Sequence, residues 1–288
     1  MKRSILVTAL ACAVTACGPE PAPELKFAQY GTDYSEKPDF ARVEAEMPLA
    51  SADLAKLTPE NLKAYDQEQI DQIYARLASG PIPDGPFEGG LFFPRGVSGE
   101  KRIAEIVGGL PGLAVDLKTQ KIEIIGKTLW KGKVFYRGER LLRNRIEDLA
   151  ALKPLIEGDL ADIPKITVNG KDQWLLFPAR LYCGQSLLDS RRESIVIDYF
   201  FSDELPGYRE QPDYLASRRG FAVRDEIRMV RPGFYLGRAY VNRVFLLNFT
   251  VYSKEIAERD GPAFAKTGQV TQDCWPGMQA RAVVAVAK

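Results

Sequence analysis

Two aspartates stand where carboxylates could do chemistry. In the run Ser194–Phe201, Val196, Asp198 and Phe200 share one strand face, and Ile195, Ile197 and Tyr199 share the other. In Ala222–Val230, Val223, Asp225, Ile227 and Met229 share a face, with Arg224, Glu226 and Arg228 opposite. Asp198 and Asp225 therefore fall among apolar neighbours on successive strands. A buried carboxylate without compensation is too costly to keep. Each is thus paired with an Arg or a backbone amide, with Arg180, Arg224 and Arg238 the obvious partners, or the two form a general acid/base pair or a ligand anchor. The Arg224, Glu226 and Arg228 row reads as a solvated charge ladder.

Composition narrows the remaining chemistry. The 288 residues contain no His, which excludes Ser-His-Asp and Cys-His nucleophilic catalysis and nearly every zinc site that uses His. Two of the four cysteines lie within the first 17 residues, so a four-thiolate metal site is excluded too. No glycine-rich dinucleotide or phosphate-binding loop is present. No metal and no cofactor is expected. A net charge of +1 argues against nucleic acid as a partner. The charge is uneven: residues 18–90 carry 14 acidic and 6 basic side chains, whereas 206–243 carry 4 acidic and 8 basic. These stretches are either solvated faces or surfaces that pack on one another.

Strand candidates follow one another from Gly85 onward: Glu88–Phe93, Lys121–Gly126, Lys133–Arg137, Gln173–Cys183, Ser194–Phe201, Ala222–Val230, Phe234–Val241 and Val244–Tyr252. Pro232-Gly233 fits a type II turn and Asn242-Arg243 a second tight turn, which predicts a three-stranded meander at the end of this series. Trp130-Lys131-Gly132-Lys133 reads as a loop with a cationic tip leading into a strand. Ahead of the strands, Thr58 and Pro59 begin a predicted helix whose apolar residues recur at helical spacing as far as Leu77, with Gly80 ending it. Shorter helices are expected around Glu100–Val107 and Ile146–Leu152. The fold class is α+β and mainly β: a curved antiparallel sheet or small barrel preceded by an N-terminal helical segment. Aromatic residues concentrate in the sheet. Trp174, Tyr182 and Tyr240, with Arg224, Arg238 and Asp225, are the residues expected to contact a ligand at its mouth.

The first residues carry an address. Lys2 and Arg3 precede a run from Ile5 to Ala16 that has no charge and is too short to span a bilayer. Val14-Thr15-Ala16-Cys17 then resembles a bacterial lipobox. On that resemblance, residues 1–16 are a cleaved signal peptide and Cys17 is the lipidation site, acylated in the manner of palmitate. The protein is then held on a membrane, with the outer membrane facing the periplasm favoured over the inner because Gly18 rather than Asp follows the Cys. Residues 17–50 form a Pro-rich tether and extended segment, 51–84 a helical region and 85–288 the β-rich domain. In an oxidising compartment Cys183 and Cys274 are expected to form a disulfide closing a loop of about 90 residues.

A second resemblance comes from the order of motifs between residues 85 and 252. Gly85-Pro86-Phe87-Glu88-Gly89-Gly90, Leu129-Trp130-Lys131-Gly132-Lys133-Val134-Phe135, Ser194–Tyr199, Arg224–Val230 and Gly233-Phe234-Tyr235-Leu236-Gly237 follow one another. This order is similar to that of small lipocalin-like β domains of bacteria, including the GXWXG-type families, although the Trp of the first segment and the His of the later hairpin are missing. The resemblance implies a calycin-like sheet able to hold an apolar ligand, and no catalytic residues. The leading expectation is an envelope lipoprotein that binds a hydrophobic or amphipathic small molecule. The alternatives are an enzyme acting through Asp198 and Asp225, and a structural lipoprotein that docks another envelope protein.

Overall fold

The computed structural model describes residues 21–31, 36–92, 129–150, 156 and 159–277. Among the described residues the strands are β1 (Gly85–Phe92), β2 (Trp130–Tyr136), β3 (Leu141–Ile146), β4 (Lys165–Val168), β5 (Lys171–Gln185), β6 (Glu193–Asp198), β7 (Val223–Arg231), β8 (Phe234–Val241) and β9 (Val244–Tyr252). All the pairings are antiparallel, in the order β3-β2-β1-β9-β8-β7-β6-β5-β4, and β3 also pairs with β5. That last pairing closes eight strands into a barrel, with β4 attached outside along β5. Closure removes the unpaired edges that an open sheet would present.

The meander β7-β8-β9 forms where the two turns predict it. Gly233 has φ +74°, and a Cβ there would lie 2.6 Å from the Ser253 carbonyl oxygen, so glycine is needed for both conformation and space. Asn242 and Arg243 both take positive φ, the geometry of the tight hairpin turn whose twist suits the flanking strands. At the β3–β5 seam the register shifts between Leu142 and Asn144, where Phe177 takes φ +51°. Its amide is held there by the Asp213 carboxylate at 2.7 Å.

Inside, Phe87, Phe135, Leu142, Leu181, Ile195, Ile227, Tyr235 and Val251 pack in one apolar cluster. Phe264 of the C-terminal helix and the Cys183–Cys274 disulfide belong to the same cluster. The disulfide expected from the sequence is formed, with Cα atoms 5.3 Å apart.

Helices α1 (Phe40–Glu46), α2 (Ser51–Lys56) and α3 (Gln67–Arg76) precede the barrel, and α4 (Lys254–Thr267) follows it. The helix expected from Thr58 starts later. Thr58 and Asn61 cap a short 3₁₀ turn over Asn61–Ala64, and Asp66 with Gln69 then forms a capping box that begins α3. The local capping chemistry of Asp66 overrides the apolar spacing that runs through it. α4 was not anticipated. Neither was β3, whose Arg143, Asn144 and Arg145 hide its alternation, nor the short β4. The helix expected around Ile146–Leu152 does not begin at Ile146, which ends β3; of its described residues, Ala150 takes a 3₁₀ conformation. The expected helix at Glu100–Val107, the strand at Lys121–Gly126, the signal segment and Cys17 lie outside the described residues.

Part of the predicted tether also behaves differently. Residues 21–31 run along α3: the Tyr65 hydroxyl donates to the Pro23 carbonyl, and Ala28 exchanges two hydrogen bonds with the Gln72 side chain. Ala22, Leu25 and Phe27 pack on the apolar cluster formed by α3, Val230, Phe234 and Leu236. The chain is therefore already docked on the domain at residue 21.

Candidate functional site

A cavity of about 330 Å³ is lined by inward-facing residues of the barrel strands and their neighbours. Its wall is apolar over most of its extent, with Leu91, Leu129, Ile146, Phe177, Leu247 and Phe249 among the lining side chains. One polar cluster interrupts it: Trp130, Lys133, Asn144, Tyr199 and Asp225.

The pleat explains how these groups converge. Ile195 and Ile197 of β6, and Tyr199 directly after it, point inward, as do Asp225 and Ile227 of β7. A register shift in β2 between Trp130 and Gly132 brings Trp130 and Lys133 both to the inner side, while Lys131 turns outward to Glu147 at 3.1 Å. Asn144 reaches the cavity from β3.

The hydrogen bonds form a closed set. Lys133 Nζ donates to Tyr199 Oη (2.7 Å), Asn144 Oδ1 (3.0 Å) and Asp225 Oδ2 (3.0 Å), which uses all three of its N–H bonds. Asn144 Nδ2 donates to Tyr199 Oη at 2.9 Å and to the Phe177 carbonyl at 3.1 Å, and Trp130 Nε1 donates to Asn144 Oδ1 at 2.9 Å. Tyr199 Oη donates to Asp225 Oδ2 at 3.4 Å. The ammonium also lies 5.2 Å from the Phe249 ring centre and 5.5 Å from that of Trp130, within cation–π range.

Two glycines make room for those rings. A Cβ on Gly89 would fall 2.4 Å from the Trp130 ring, and one on Gly237 would fall 2.2 Å from that of Phe249. The backbone of β1 and β8 is thus the seat on which the aromatic walls of the Lys133 site rest.

Burial sets the electrostatics. Desolvation pushes the Asp225 carboxyl above its ordinary range, with Lys133 opposing it. For Lys133, burial acts against the charge, but Tyr199 and Asp225 outweigh it and the ammonium titrates above its usual value. Burial pushes the Tyr199 hydroxyl up to about 12. Lys133 Nζ, the Tyr199 hydroxyl and the Asp225 carboxyl group are thus held together in a largely apolar setting.

Of the residues expected from the sequence, only Asp225 reaches this cavity. Asp198 points the other way, accepting from the Tyr182 hydroxyl at 2.9 Å and the Phe200 amide at 2.8 Å. Asp198 and Asp225 are on opposite faces of the wall, so the two-carboxylate acid/base pair is not formed. Nor is the partner of Asp225 an Arg: it is Lys133, 92 positions away in the chain. Arg224, Arg238, Tyr182 and Tyr240 are on the outer surface of the barrel. Arg224 bonds to Glu226 and the Gln185 carbonyl, and Arg238 to Asp71 and the Tyr240 hydroxyl. Trp174 belongs to a satellite cluster with Ile146, Leu149, Ile163 and Leu176.

The Arg224, Glu226 and Arg228 row is likewise no solvated ladder. Glu226 and Arg228 are fully buried beneath α3 and the loop after β5, where Arg228 donates to Ser194 Oγ and to the carbonyls of Tyr74, Asp189 and Arg192. Trp130, Lys133, Asn144 and Tyr199 were missed as site residues. The available signal was Tyr199 sharing a face with Ile195 and Ile197; Asn144 carried none, because its strand was not recognised.

No protein-family model and no curated protein matches the chain. Among solved structures, the chain is similar to a protein from Thermomonospora curvata known from its crystal structure, with 16% sequence identity and a TM-score of 0.33 over 66% of this chain and 88% of that one.

Proposed function

We propose that the barrel binds an apolar or amphipathic small molecule, and that the protein does so while anchored to the bacterial envelope through lipid on Cys17, with the outer membrane favoured. The observation that carries the first part is the chamber of about 330 Å³ with apolar walls and a single polar cluster at Lys133, Tyr199 and Asp225. Small-molecule sites have this character: concave, mostly apolar, with a few placed polar groups that fix orientation. The lipobox-like run Val14–Cys17 supports the second part. The protein would then sequester its ligand, or hand it on, at the membrane surface.

Native mass spectrometry of the full chain, purified in mild detergent from its own membrane, tests the binding. A bound apolar molecule, lost when Ala216 is changed to Trp to fill the chamber, is the expected result. A ligand-free protein in repeated preparations that also fails to take up an apolar fluorophore would overturn the reading. Cys17→Ser should move the protein from the membrane fraction to the soluble one.

A further inference from the structure

We infer that the ligand of this chamber enters as a hydrogen-bond donor, a neutral hydroxyl or N–H on an apolar body, and that its anchor is the Oδ1 oxygen of Asp225 rather than the Lys133 ammonium. The inference rests on the cavity reading above and names the chemical class that the cavity takes.

A lysine inside an apolar barrel suggests at first a site for a carboxylate. Here the valences forbid it. All three Lys133 N–H bonds point at protein acceptors: Tyr199 Oη, Asn144 Oδ1 and Asp225 Oδ2. Tyr199 Oη accepts from Lys133 and Asn144 and directs its own proton to Asp225 Oδ2. Both N–H bonds of the Asn144 amide are engaged, and so is the indole N–H of Trp130. No side-chain donor of the cluster is left for an incoming anion or carbonyl.

One acceptor is left. Asp225 uses Oδ2 for both Lys133 and Tyr199, and among the described residues its Oδ1 makes no hydrogen bond. The residue is only 5% exposed and lines the cavity. Oδ1 is not fully enclosed, so a ligand hydroxyl or N–H that enters the cavity can reach it and supply the hydrogen bond that the protein does not. A ligand carboxylate would instead bring a second negative charge against Asp225 in a low-dielectric chamber. A cationic head would face the Lys133 ammonium and lose its own hydration. A ketone or ether offers only acceptors where the site has no free donor.

A matched head-group series on the wild-type protein tests this directly: octanol, methyl octyl ether, octanoate and octane, titrated by calorimetry. Octanol should bind at least about tenfold more tightly than the ether or octanoate, the scale of leaving a buried polar group unpaired. Octanoate or the ether binding as tightly as octanol would overturn the donor assignment and leave the cavity reading standing. Silence from all four would overturn both. In the double variant Lys133→Met/Asp225→Leu, which leaves no buried charge, octane should still bind while octanol loses its advantage over the ether. A preserved octanol preference there would also overturn the assignment.

Discussion

At the residue scale, the central object is a lysine whose every donor is satisfied by side chains from other parts of the chain. Such a cluster stabilises only as a whole: removing one partner leaves a charge in an apolar chamber. Lys133→Met should therefore cost about 3–5 kcal/mol, because Asp225 loses its counter-ion. The Lys133→Met/Asp225→Leu double variant should recover much of that loss, since apolar replacement of a whole buried pair is often neutral. Denaturant unfolding of the two variants measures both, and additive losses would refute the coupling. Asp225 was legible in the sequence as an inward carboxylate, because the period of two puts it beside Ile227 and Met229. Its partner was not, because Lys133 sits in a Trp-Lys-Gly-Lys run that gives no hint of which lysine turns inward. The register shift in β2 makes that choice.

At the element scale, α3 decides the environment of the outer wall. Its Asp71 pairs with Arg238, Gln67 accepts from Asn248, and its last turn offers the Tyr74 carbonyl to Arg228. One carboxylate of the acidic N-terminal part, Asp71, thus pairs with one guanidinium of the basic C-terminal part, Arg238. Asp71→Ala leaves the Arg238 guanidinium buried without its carboxylate, a loss of about 3–5 kcal/mol. It should also raise hydrogen exchange in α3 and in β8 together, since the two share the pair. Exchange confined to α3 would show that the helix is an independent lid on a self-sufficient barrel. The three-stranded meander was legible in advance because its turns are written in residues with special backbone geometry. β3 was not, because three consecutive polar residues, Arg143, Asn144 and Arg145, are all at least half-buried by surroundings that other elements provide.

At the scale of the whole molecule, closure and cross-linking act together. The Cys183–Cys274 disulfide spans 91 positions and ties the segment after α4 to β5. Reducing it should lower the unfolding free energy by about 4 kcal/mol in the chain-entropy picture, seen as a lower midpoint in denaturant with reductant present. High pH should destabilise the fold as well. Tyr199 and Tyr240 are pushed up to about 12 by burial, and Lys133 titrates above its ordinary value. The unfolded chain releases these protons from about pH 10 upward, whereas the folded chain keeps them, so stability falls as pH rises through that window. Melting temperatures measured from pH 8 to 12 should decline steeply above about 10, and phenolate absorbance from the buried tyrosines should appear only with unfolding. By itself the sequence determined which residues share a strand face, where the meander turns, which cysteines pair, and which chemistries the lack of His excludes. It did not determine which face of β6 lies inside. Both faces are apolar or buried, because one lines the barrel and the other lies under α3 and its neighbouring loops, so alternation had no polar side to mark solvent. Only barrel closure and the docking of α3 decided that, and with it the meeting of Lys133, Asn144, Tyr199 and Asp225 in one chamber.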